Sequence, residues 1–458
     1  MTFLPLSRRA FLGQTAGAAL ASRPDFTGAA DPPRRPRVAA LFTVLRFRSH
    51  AYNILENFLG PYLFQGQLID PGVDVVSFYA DQFPRDDMAR DVSRRFGIPL
   101  CRTVEEAMCV GGRKLSVDAV LSIGEHGNYA YNTRGQHLYP RKRFFDEACA
   151  VMREAGRFVP FFNDKHLSHS WTEAKDMYDT CRTHGMPLIA GSSVPLAQRK
   201  PALELPAGAE IEEAVSIHGG GLESYDFHAL EVLQSLVESR RGGETGLARI
   251  ELVYGDAFEK ARQAGRWSQD LVAAAMQAEH DLQAVRQKRP VTGVFAGPKP
   301  TQPVFQPPPQ PDGPYAICLT YLDGLKATVI RIAGSANRWN FACRLKDSRR
   351  PRSTAFFNSP WGNRGLFKAL AHAIQYNFVT AQEPYPAERT LLTTGATAAV
   401  MDSWEHKGRA IETPHLAIRY QPRDWSAFRE DGRTWSILTK DVPQKSGFEP
   451  RSWNELRR

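Results

Sequence analysis

Paired cysteines are the first thing this sequence lacks. Its six cysteines, Cys101, Cys109, Cys149, Cys181, Cys318 and Cys343, never fall into a C-x-x-C pair, which argues against a zinc centre built from thiolates. Several follow helix or strand periodicity and read as small buried hydrophobes, and their spacing defines no disulfide. Past the first 30 residues no apolar run is long enough to cross a bilayer as a helix. The net charge is +9, yet Lys and Arg are scattered among acids and no basic block is interleaved with aromatics, so nucleic acid is not an expected partner. What remains is an ordinary globular composition, 42% hydrophobic and 23% charged. A chain of 458 residues can bury a large core and form two or three domains.

Residues 1–30 read as a processing signal. Ser7-Arg8-Arg9-Ala10-Phe11-Leu12 precedes a mild Gly/Ala segment ending at Ala21, and this order resembles a twin-arginine export signal. The expectation is an exported, periplasmic protein.

After a Pro/Arg-rich linker, strands and helices alternate. The expected strands are Val38–Thr43, Val73–Tyr79 followed by Asp81, Val117–Ile123, Phe158–Phe162 and Met186–Ala190. Ser49 is placed to cap the first helix, and helices are expected over 86–96, 144–155 and from Ala174 to Cys181. Such alternation predicts a doubly wound parallel sheet over residues 37–200. Its strands should end together near Thr43, Asp81, Gly124, Asn163 and Gly191.

The polar residues cluster at those strand ends. Phe158–Phe162 stops abruptly at Asn163-Asp164-Lys165-His166, and Val117–Ile123 stops at Gly124-Glu125-His126-Gly127. In an open parallel sheet ligands bind at the carboxyl ends, so these clusters are candidate site residues rather than solvated caps. Farther on, Gly219-Gly220-Gly221 leads to Glu223, Ser224, Asp226 and His228 at the amino end of an apolar helix. For His228 alone, a structural histidine and a catalytic one weigh about equally; the adjacent glycines and Glu223 favour the catalytic one.

Residues 201–422 read as an α+β domain with an open, largely antiparallel sheet. One long helix is expected over 258–289, a Pro-rich crossing segment over 290–314 with nine prolines, a hairpin turn at Asp323-Gly324, and a late strand from Pro414 to Tyr420. Residues 423–458 read as a tail wrapping the surface.

The order of these motifs resembles the Gfo/Idh/MocA family, the glucose-fructose oxidoreductase and inositol dehydrogenase relatives. Its Glu-Lys-Pro motif falls on Asp164-Lys165-His166, and its Asp-x-Gly-x-His-x-x-Asp motif falls on Ser224, Asp226, His228 and Glu231. Lys165 and His228 match cleanly. The sequence departs from the family where a G-x-G-x-x-G loop would let the backbone meet a pyrophosphate. Phe42-Thr43-Val44-Leu45-Arg46-Phe47-Arg48-Ser49 contains no glycine.

The resemblance implies an oxidoreductase acting on a sugar or polyol with a tightly held NAD or NADP. Lys165 and His228 would be the acid/base pair with Glu223 beside them. Asp81 would hold the adenosine ribose, and Thr43, Arg46, Arg48, Glu125, His126 and Asp164 would border the cofactor. The second-domain sheet would wall the substrate and provide the surface for a homo-oligomer. A second reading is a non-redox lyase, isomerase or hydrolase on the same fold, in which Glu125, His126, Asp164, His166, Glu223 and His228 form an acid/base set or hold a divalent metal. A third is a catalytically silent sugar-binding protein.

Overall fold

The computed structural model describes residues 34–287, 305–306, 308–334, 338–346, 348–444 and 447–448. The expected export signal, most of the Pro-rich segment and the last part of the tail lie outside the described residues. The described residues from Arg35 onward form one compact unit.

Strands that are buried on both faces of a parallel sheet must be apolar throughout rather than alternating. That is the composition of β1 (Arg37–Phe42), with Val38 to Phe42 all buried. A small hairpin, β2 (Tyr62–Phe64) and β3 (Gln67–Ile69), precedes β4 (Asp74–Ala80), β5 (Leu100–Cys101), β6 (Ala119–Ile123), β7 (Phe161–Asp164) and β8 (Leu188–Gly191). The six-stranded sheet has the order β5-β4-β1-β6-β7-β8 and every pairing is parallel. The chain starts in the middle at β1, runs outward through β4, and returns to β6 on the other side. The expected strand ends therefore share one edge, and the switch point lies at the end of β1.

The helices between these strands are α1 (His50–Leu55), α2 (Ala89–Phe96), α3 (Val104–Cys109), α4 (Arg141–Glu154) and α5 (Trp171–Thr183). Ser49 caps α1, accepting from the Tyr52 amide. The helix expected over 86–96 begins only at Ala89.

The second sheet has eight strands: β9 (Gln198–Lys200), β10 (Ile211–His218), β11 (Leu247–Tyr254), β12 (Tyr315–Tyr321), β13 (Lys326–Arg331), β14 (Trp339–Leu345), β15 (Arg352–Phe357) and β16 (Ile411–Glu412). Their order is β16-β11-β12-β13-β10-β14-β15-β9; only β10 and β13 run parallel. The Asp323-Gly324 turn joins β12 to β13 as the sequence suggests.

The remaining helices are α6 (Ser224–Val237), α7 (Asp256–Gln263), α8 (Gln269–Gln287), α9 (Asn363–Thr380), α10 (Ala387–Glu405) and α11 (Thr434–Ile437). Helices α6 and α10 pack on one face of the eight-stranded sheet, through Leu230, Leu233, Leu392 and Val400. The expected single helix over 258–289 is two, α7 and α8. The chain turns at Gly265, whose φ is +68°, and Trp267 is buried against Phe258 in the corner. Together α7 and α8 cover the sheet's other face through Phe258, Trp267, Leu271 and Ala275. Both faces of this sheet are thus packed against helices of the chain itself.

Residues Pro414 to Tyr420 are not a strand. Pro414–Leu416 is a short 3-10 turn, and Tyr420 makes only an isolated bridge to Glu244. The apolar residue that suggested a strand, Leu416, instead fills the space left by Gly395 of α10. Helix α9 leaves the second sheet and packs on the first, placing Phe367, Leu370 and Ile374 among Phe42, Leu45 and Ile54. This return brings α9 to the carboxyl edge of β1, beside the candidate site.

Candidate active site

Three polar residues at this edge hold a backbone that side chains rarely adopt: His126 and Lys165, each with φ +70°, and Glu223 with φ +68°. Left-handed backbone in a non-glycine residue carries strain, and such strain gathers at functional sites. Lys165 follows β7 and is held by two backbone hydrogen bonds to Gly191, each 3.1 Å. Gly191 is followed by Ser192, whose amide donates to Glu231 Oε2 at 2.9 Å. On the other wall Asp226 fixes the start of α6. Its Oδ2 accepts the Glu223 amide at 2.9 Å, and its Oδ1 accepts the Tyr315 hydroxyl at 2.8 Å.

Held this way, Lys165 Nζ lies 2.7 Å from His228 Nε2 and 3.5 Å from Glu125 Oε1. Burial and the Lys165 charge hold the His228 imidazole well below its ordinary range. His228 is therefore neutral, and Nε2 accepts from Nζ. Its Nδ1 is buried without a hydrogen-bond partner among the described residues. Burial works to raise the Glu125 carboxyl, but Lys165, Arg141 and nearby histidines outweigh it, and the group is an anion throughout the neutral range.

Arg141, at the start of α4, donates to Glu125 Oε2 at 2.5 Å and approaches His166 Nε2 at 3.3 Å. His166 is likewise kept neutral, by burial and by Arg141. Glu223 Oε1 sits 3.3 Å from the same nitrogen. Burial, opposed by the Arg141 charge and helped by that of Glu125, pushes the Glu223 carboxyl up to about 7. At neutral pH the network thus runs Glu223, His166, Arg141, Glu125, Lys165, His228, with one acid near its titration point.

Lys165, His228, Glu125, His126, Ser193, Ser224, Asn358 and Asn363 line a cavity of about 220 Å³, together with Trp339, Tyr225, Leu366 and Phe367. Small polar donors and acceptors opposite an apolar wall suit a small hydroxylated molecule. Asp164 does not reach into this cavity; its Oδ2 holds His50 Nδ1 at 2.6 Å, and His50 supplies part of the lining.

The other expected border residues are placed differently. Thr43 is fully buried and donates its hydroxyl to the Glu125 carbonyl at 2.6 Å. Arg46 lies near His126, whose imidazole is lowered to about 3 by burial, by His50 and by Arg46. Arg48 turns away, to the Trp361 carbonyl at 2.6 Å. Asp81 ends β4 as expected, but both its oxygens are engaged, by Tyr79 and Tyr129 at 2.6 Å each and Arg143 at 2.5 Å. The first amide of α1, from His50, meets His126 Nδ1 at 3.3 Å. Neither the ribose carboxylate nor the helix terminus that a dinucleotide needs is open, so the residues at this edge do not fit that cofactor. Among the described residues no group of three or more His, Cys, Asp or Glu side chains is arranged to hold a metal ion.

Sequence reasoning missed Arg141, His50 and Tyr129. Arg141 sits in Arg141-Lys142-Arg143, which reads as a solvated basic turn. The available signal was the Pro140 before it, which starts a helix beside the strand-end cluster.

No family model and no curated protein matches this sequence. Solved structures match over most of the chain. GenD2 from gentamicin A biosynthesis, in complex with NAD, aligns with 83% of this chain and 96% of its own, at 12% identity and a TM-score of 0.51. Myo-inositol dehydrogenase from Lactobacillus casei, in complex with NAD(H) and myo-inositol, aligns with 83% of this chain and 97% of its own, at 12% identity and a TM-score of 0.50. The chain has the fold of these proteins: a Rossmann-like parallel sheet followed by a mostly antiparallel one.

Proposed function

We propose that this protein is an enzyme acting on a sugar or polyol, with Lys165 and His228 exchanging the proton of a substrate oxygen. The observation that carries this is the 2.7 Å Lys165–His228 pair at the wall of a cavity of about 220 Å³. Lys165 donates to the reacting oxygen, His228 relays its proton, and Glu125 keeps the lysine oriented. The names of the structural neighbours support a polyol-directed oxidoreductase ancestry. In such enzymes a bound nicotinamide supplies the hydride chemistry. Because Asp81 and the start of α1 are engaged within the chain, no hydride step is assigned here, and the redox-neutral reading, a lyase, isomerase or hydrolase on the same substrate class, is the one these residues favour. Export by the twin-arginine route, from Arg8-Arg9, is part of the same proposal.

The test is a panel of neutral sugars and polyols incubated with the exported protein and followed by NMR, with and without added NAD. At least one should be converted. Failure of every member to bind or react would sink the proposal.

A further inference from the structure

In a sheet ordered β5-β4-β1-β6-β7-β8, the crevice at the end of β1 is flanked by the segments that follow β4 and β6. A dinucleotide crosses that crevice, with its diphosphate over the end of β1. In this protein the two flanking segments are joined to one another. Gln82, after β4, accepts the Asn128 amide at 2.8 Å and donates to the Asn128 carbonyl at 3.0 Å. Next to it Tyr129 donates to Asp81 at 2.6 Å. Gly127, with φ +104°, lies so close to the Tyr129 ring that a Cβ there would collide with it and crowd Gln82. Below this bridge, Thr43 is tied to the Glu125 carbonyl and the α1 terminus to His126.

We infer that the carboxyl edge of β1 is closed to dinucleotides by a bridge of the protein's own residues, Gln82, Asn128 and Tyr129, and that the Lys165 site works on its ligand by proton transfer alone. The inference deepens the proposed function and rests on it only for the identity of the small ligand. The bridge explains the missing glycines. Backbone freedom after β1 is needed only where a phosphate must approach, and here side chains fill that space. A redox-neutral reaction also balances without a partner: the proton taken from the substrate is returned to it or to water, and no electron acceptor is consumed.

The experiment is calorimetric titration of the full-length protein with NAD, NADH, NADP and NADPH, joined to mass spectrometry of small molecules released from the natively exported protein. No saturable heat up to about 1 mM, a standard free energy weaker than about −4 kcal/mol, and no dinucleotide in the extract are expected. Micromolar binding, or a stoichiometric dinucleotide in the extract, would overturn the inference while leaving the sugar or polyol assignment standing. A wild type that binds neither dinucleotide nor any member of the panel would instead count against the proposed function. The bridge has its own test. The double variant Gln82→Ala, Tyr129→Phe should bind NADH at least tenfold more tightly than wild type. If both proteins bind none, the bridge is not what closes the edge.

Discussion

Burial pushes the carboxyl groups of Glu223 and Glu231 up to about 7, and the direction sets how the protein responds to pH. In the unfolded chain each titrates near its ordinary 4.5. Between these values the native state holds protons that the unfolded chain has released. This contribution to stability is complete below 4.5 and is lost as pH rises to about 7. Replacing Glu223 by Gln removes its share, so wild type should lose stability relative to Glu223→Gln between about pH 5 and about pH 8. Chemical denaturation of both proteins at the two pH values measures this; a constant gap would mean that Glu223 is ionised in the fold. The same variant keeps the volume of the side chain beside His166, and so should retain activity while losing any decline centred near pH 7.

At the scale of elements, the strap formed by the end of β7 and the end of β8 aims Lys165. Gly191 has φ +113°, and a Cβ there would run into the Glu231 carboxylate and the Thr390 hydroxyl. Gly191→Ala should therefore cost roughly 1–3 kcal/mol in stability and lower turnover further than the stability loss alone explains. Unchanged denaturation and turnover would show that the strap tolerates repacking. The strands of this sheet were legible because fully buried parallel strands are apolar runs that end sharply, as Phe158–Phe162 does before Asn163. Lys165 and His228 were legible because each sits in a polar cluster next to such a run. Tyr129, His50 and Arg141 were not, because what gives each its role is a partner distant in sequence, Asp81, Asp164 and Glu125. The strand expected over 414–420 failed for a similar reason. Its alternation was real, but the proline began a turn and Leu416 was claimed by α10.

At the scale of the whole molecule, α9 returning to the first sheet brings Asn363, Leu366 and Phe367 to the cavity that also holds Lys165 and His228. No helix among the described residues is long and apolar enough to cross a membrane. If export follows the twin-arginine route, replacing Arg8-Arg9 by Lys-Lys should leave unprocessed protein in the cytoplasm, as seen by fractionation. Normal export would assign another route. The proposed chemistry rests on the Lys165–His228 pair, and one comparison tests it directly. For whichever sugar or polyol the wild type converts, turnover is measured for Lys165→Ala and His228→Ala beside the melting temperature of each. A catalytic pair predicts losses of roughly 10²–10⁴-fold in each variant, with melting temperatures close to wild type. Losses that appear only as each variant unfolds would make the two residues a core contact, and would contradict the account.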